Sequence, residues 1–71
     1  MTNSQKVLLA ILAYWQENAI PPTIRNIQKA TGISSSSEVR YCYFKLEKSG
    51  AIKRIKSKPV PVHIFKLIAK S

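Results

Sequence analysis

Aspartate does not occur in this 71-residue sequence, and its only acidic side chains are Glu17, Glu38 and Glu47. A chain so poor in carboxylates offers no paired acids for general acid–base work, and its serines have no histidine–acid pair to activate them. Cys42 is the only cysteine, which excludes an intramolecular disulfide and a cysteine-based zinc site and suits a reducing, cytoplasmic setting. His63 stands without a second histidine, a cysteine or an aspartate near it in sequence, so no metal is expected. Two glycines, Gly32 and Gly50, are too few and too far apart for a glycine-rich phosphate loop. The apolar stretch from Val7 to Trp15 is much shorter than a bilayer span and lacks the cleavage site of a signal peptide. Together these absences argue against an enzyme, a cofactor, an exported protein and a membrane-embedded one.

What is abundant is positive charge. Lys and Arg number 12 against three acids, a formal net charge of +9. Self-repulsion at that density is relieved by an anionic partner, with nucleic acid first in rank and an acidic membrane surface or acidic protein behind it. Hydrophobic residues make up 45% of the chain, enough to argue against disorder, and the length fits one domain spanning 1–71.

The apolar positions are grouped by period. Val7, Leu8, Ile11, Leu12 and Trp15 share one side of a helix predicted from about Ser4 to about Glu17, with Thr2, Asn3 and Ser4 as candidate caps. Ile20-Pro21-Pro22 reads as an extended connector, because each proline disfavours helical geometry in the residue before it. Thr23 caps a second helix carrying Ile24, Ile27 and Ala30, and Gly32 closes it. A third helix begins within Ser34-Ser35-Ser36-Ser37, the one low-complexity patch, with Ser35 as N-cap and a reciprocal capping box to Glu38. Its core face is Val39, Cys42, Tyr43 and Leu46, and Ser49-Gly50 ends it.

Beyond Gly50 the residues favour strands: Ile52, Ile55, Val60, Val62, Ile64 and Phe65, divided by Lys56-Ser57-Lys58-Pro59. The expectation is a two-stranded hairpin over about 52–66, with His63 on a strand and with Pro59 and Pro61 in a loop or on a solvent-open edge. The fold class is therefore mainly α with a small β-hairpin.

Two short helices joined through a glycine-containing turn suggest a helix-turn-helix. Pro21-Pro22-Thr23, Ile27, Gly32, Ser35, Leu46, Gly50 and Ile52 resemble, in order and spacing, the N-terminal DNA-binding domain of LexA-type repressors. The resemblance runs without a gap from Gln5 to Ile52. It implies a three-helix winged helix-turn-helix whose third helix, about 35–49, enters the major groove while the hairpin touches the adjacent backbone. It also implies that the family's base-contacting positions fall on Ser35, Ser37, Glu38, Arg40 and Tyr41. Only Ser35 keeps the family's familiar residue, so the expected operator differs from the usual one. The family's self-cleaving serine–lysine peptidase half, which also dimerises, is not expected, since the sequence ends at Ser71.

The residues support this independently. With Val39, Cys42, Tyr43 and Leu46 inward, the third helix turns Ser36, Ser37, Arg40, Tyr41 and Phe44 outward. Arg40 can bond both major-groove acceptors of guanine, and serines at the helix start can donate to phosphate beside free backbone amides. Phe44 has three open uses: a thymine methyl, packing under the wing, or a protein interface. Thr23, Lys45, Lys48, Lys53, Arg54, Lys56 and Lys58 are the candidate backbone contacts. Trp15 continues the apolar stripe and is expected in the core. The expected function is sequence-specific binding of double-stranded DNA by a prokaryotic or phage regulator, a repressor before an activator, in the cytoplasm at the nucleoid. A second copy of the chain on a palindromic site is a further candidate partner. A winged-helix protein-interaction module and a DNA-packaging or replication accessory protein are the other readings.

Overall fold

Thr2 starts the first helix. In the computed structural model, which describes residues 1–70 and the side chains of residues 1–68, its hydroxyl accepts from the Gln5 N–H at 3.2 Å. Gln5 Oε1 accepts from the Thr2 N–H in return at 2.9 Å. The helix, α1 (Asn3–Asn18), ends at Ala19, whose left-handed φ of 57° lets its N–H reach the Trp15 carbonyl at 2.9 Å. After the proline connector, Thr23 and Asn26 form a second capping box that starts α2 (Ile24–Thr31). Gly32, at φ 79°, closes α2 by donating to the Gln28 carbonyl at 2.8 Å. Then come α3 (Ser36–Lys48), β1 (Ile52–Ile55), β2 (Lys58–Pro61) and α4 (Val62–Lys70).

The core lies where these elements meet. Val7 and Ile11 of α1, Ile27 of α2, Val39, Cys42, Tyr43 and Leu46 of α3, and Ile52 of β1 form one buried cluster. Leu8, Trp15 and Ile24 pack at its margin, whereas Ala30, on the expected inner face of α2, is exposed. Three helices and an antiparallel hairpin in this order make a winged helix-turn-helix.

The hairpin is shorter than the sequence suggests. Its turn is Lys56-Ser57 alone, and Val62, His63, Ile64 and Phe65 lie in α4, not in a strand. β1 begins just past Gly50, where the chain turns at φ 84°, so β2 has no partner beyond the Ile52↔Pro61 pair. The Val62 N–H makes the last cross-strand bond, to the Ala51 carbonyl at 3.1 Å. Backbone groups past that point satisfy themselves by coiling into a helix. β-branched residues therefore yield to the lack of a strand partner, and α4 packs its half-buried Val62, Ile64 and Phe65 towards the hairpin.

Pro59 and Pro61 also depart from expectation, because both side chains are buried. The register explains how they fit. The Val62 N–H points across at Ala51, so by the period of two those of Val60 and Lys58 point at β1, and the ring nitrogens of Pro59 and Pro61, which have no hydrogen to donate, face away from it. The outward carbonyl of Pro59 accepts from Trp15 Nε1 at 3.0 Å, tying the hairpin to α1 across 44 residues.

Trp15→Phe removes this donor and leaves the Pro59 carbonyl without it, at an expected cost of about 1–3 kcal/mol, read by denaturant titration. The turn offers a test of opposite sign. Lys56 and Ser57 both hold positive φ, 52° and 68°, the geometry of a primed turn that favours Asn-Gly. Ser57→Gly relieves a left-handed cost of about 1–2 kcal/mol against a flexibility cost of about 0.5–1 kcal/mol. A modest rise in melting temperature is the expected result, and a fall would contradict the strained turn.

Candidate nucleic-acid interface

The turn between α2 and α3 is held by side chains. Thr31 Oγ1 donates to the Ile27 carbonyl at 2.7 Å and accepts from the Ile33 N–H at 3.3 Å, while Gln28 Nε2 donates to the Ser34 carbonyl at 2.8 Å. Ser35 then caps α3, its hydroxyl accepting from the Glu38 N–H at 3.3 Å and lying 2.9 Å from Ser37 Oγ. The expected reciprocal half of this capping box is not formed. Glu38 instead accepts from Asn3 Nδ2 at 3.3 Å, because the start of α1 lies beside the first turn of α3.

From that start, α3 presents two faces. Val39, Cys42, Tyr43 and Leu46 are buried, and Ser36, Ser37, Arg40, Tyr41, Phe44, Lys45 and Lys48 are exposed. Arg40 has no hydrogen bond or ion pair among the described residues and is free to meet a ligand. Lys45 sets its Nζ 5.6 Å from the Tyr41 ring centre, and Lys48 sets its Nζ 5.0 Å from that of Phe44. Each pair is four residues apart, the spacing that stacks side chains along a helix.

The hairpin stands next to this face. Lys53, Lys56 and Lys58 are exposed. Arg54 Nε lies 3.2 Å from Glu47 Oε1 on α3, both side chains half-exposed, so this guanidinium braces the hairpin against the helix. Thr23, at the far end of α2, spends its hydroxyl locally: it accepts from the Asn26 N–H at 3.1 Å and donates to Asn26 Oδ1 at 2.8 Å. The structure thus ties the hairpin to α3 through Arg54 and Glu47, leaves Lys53, Lys56 and Lys58 exposed, and leaves Thr23 engaged in its cap. His63 is exposed on α4, and the described residues hold no group of three potential metal ligands. No helix among the described residues is long and apolar enough to cross a membrane.

Comparison with known proteins gives the family. The family model described as the LexA DNA binding domain matches residues 1–60. The chain belongs to the LexA DNA-binding domain family. It is 40% identical over 68 residues to the LexA repressor of Ligilactobacillus salivarius (strain UCC118), covering 90% of this chain and 33% of that protein. It is 45% identical over 49 residues to the LexA repressor of Clostridium botulinum (strain Hall), covering 69% of this chain and 24% of the relative. The LexA repressor of Clostridium novyi (strain NT) is 44% identical over 50 residues, 70% of this chain and 24% of its own. The chain therefore spans about a third or less of these relatives' length. No solved structure matches it. The LexA family match stops within β2, so α4 lies outside it.

Several supporting residues of this LexA-type scaffold carry no signal in the sequence. Asn3 meets Glu38 across 35 residues, and Glu47 meets Arg54 only once the hairpin folds back on α3. Gln28 is legible only in hindsight, as a long polar side chain at the last turn before the glycine.

Tyr43 carries a testable oddity of α3. It is 1% exposed, its hydroxyl has no hydrogen-bond partner among the described residues, and burial raises its pKa to about 12, opposed more weakly by the Arg54 charge. Between pH 10 and 12 the phenol ionises in the unfolded chain before it does so in the folded one, so stability falls as pH rises through that window. Tyr43→Phe removes both the orphan hydroxyl and this loss. Equal or greater stability is expected at neutral pH, with a gap over the parent that widens from pH 10 to 12 in melts. A loss above about 2 kcal/mol at neutral pH would mean that the hydroxyl is satisfied in solution.

Proposed function

We propose that the chain binds double-stranded DNA in a sequence-specific way and regulates transcription as a repressor in a prokaryote or phage, without catalysis. The outer face of α3 carries this reading. It has a free Arg40 at its centre and serines at the helix start, and it is flanked by lysines of α3 and of the hairpin on a chain of net charge +9. The names of the relatives, LexA repressors, support the same role.

In this mechanism α3 lies in the major groove with Arg40 donating to both acceptors of a guanine, its fork geometry matching that edge. Ser35, Ser36 and Ser37 meet phosphate at the helix start, where free amides and the helix dipole favour an anion. Lys53, Lys56 and Lys58 reach the neighbouring backbone, joined by Lys45 and Lys48. These contacts set position and strengthen binding by releasing counterions, without reading sequence. One module makes few base contacts, so a second copy on the other half of a palindromic site supplies the rest of the affinity.

Selection from a random duplex pool, followed by anisotropy titrations at several salt concentrations, tests this. Arg40→Ala is expected to cost about 1–3 kcal/mol and to relax preference at one base pair. Lys56→Ala with Lys58→Ala weakens all duplexes alike and lowers the salt slope by about 2. No duplex affinity even at low salt refutes DNA binding; a dispensable Arg40 with preference set by the hairpin overturns the division of roles.

A further inference from the structure

Tyr41 and Phe44 pose a problem that phosphate and guanine contacts leave unsolved. They are large rings on the outer face of α3, 55% and 48% exposed, amid serines, Arg40 and lysines. Three residues apart, they neighbour each other on the helix surface and advance about 4.5 Å along its axis, against about 3.4 Å between base pairs. Each ring is approached by a lysine one turn on, Lys45 for Tyr41 and Lys48 for Phe44. These lysines restrict the rings while keeping positive charge at the face.

Phe44 has no group with which to hydrogen-bond, and neither phosphate nor a polar base edge compensates for dehydrating it. In the major groove one group of the standard bases does: the C5-methyl of thymine. We infer that Tyr41 and Phe44 form an apolar pair that reads C5-methyl groups on two neighbouring base pairs beside the guanine met by Arg40. The inference rests on the DNA-reading role proposed above. It makes Phe44 a specificity residue one turn beyond Arg40, and its ligand class is a methylated pyrimidine edge, thymine or 5-methylcytosine.

The experiment uses the full chain and its pool-selected duplex. Each thymine is replaced in turn by deoxyuridine, which removes only the methyl, and affinities are measured for the parent, Tyr41→Ala and Phe44→Ala. Because both residues are exposed, the variants are expected to fold, which circular dichroism checks. Loss of one methyl is expected to weaken parent binding about fourfold at two neighbouring thymines. One of these sensitivities disappears in Tyr41→Ala and the other in Phe44→Ala. Replacing deoxyuridine–adenine by 5-methylcytosine–guanine at such a step is expected to bind more tightly than unmethylated cytosine–guanine at the same place. A site chosen with strong preference but indifferent to every methyl overturns this inference alone, as does undiminished methyl sensitivity in both variants; the rings then serve a protein partner. A chain that selects no duplex overturns the DNA-reading role and this inference with it.

Discussion

The packing of Val39, Cys42, Tyr43 and Leu46 against Val7, Ile11, Ile27 and Ile52 governs the molecule. A helix has one angular period, so burying these four positions also decides which residues leave the surface on the other side. Arg40, Tyr41 and Phe44 face outward because their neighbours face inward. Rotating α3 to move Arg40 would bury a charge and expose the core, which makes the outer face as rigid as the core that defines it.

Around that helix, a few polar contacts fix how the elements sit against one another. Trp15 holds the Pro59 carbonyl, Glu47 holds Arg54, and Gln28 holds the turn ahead of the serines. The Glu47–Arg54 pair is half-exposed and contributes little to stability. Its position is what matters, because it joins the hairpin strand β1 to α3 on the exposed side of the core. The scarcity of acids sharpens this: two of the three glutamates are used in cross-element contacts, Glu38 to Asn3 and Glu47 to Arg54.

Local chemistry made much of the fold legible in the sequence. Thr23, Ser35, Gly32 and Gly50 act through their own backbone and nearest neighbours, and their roles are visible without a tertiary structure. The α3 outer stripe was equally legible, since periodicity needs no partner. Three features were not. The end of the hairpin depends on where β1 begins, so Val62 to Phe65 read as strand by propensity and fold as helix for want of a partner. Pro59 and Pro61 become acceptable inside a covered sheet only in one register and only with Trp15 overhead. Glu38 leaves its capping box for Asn3, a residue that sequence separation hides.

The surface proposed to meet DNA is the outer face of α3 with the exposed hairpin lysines, and the rest of the molecule serves as its support. Titrating isotope-labelled protein with its selected duplex and following every backbone amide by NMR tests this placement. The largest shifts are expected at Ser35 to Lys48 and at Lys53 to Lys58, with the Trp15 indole signal nearly still. Shifts centred on the outer side of α1 or on α4, with Arg40 and its neighbours unmoved, would contradict it.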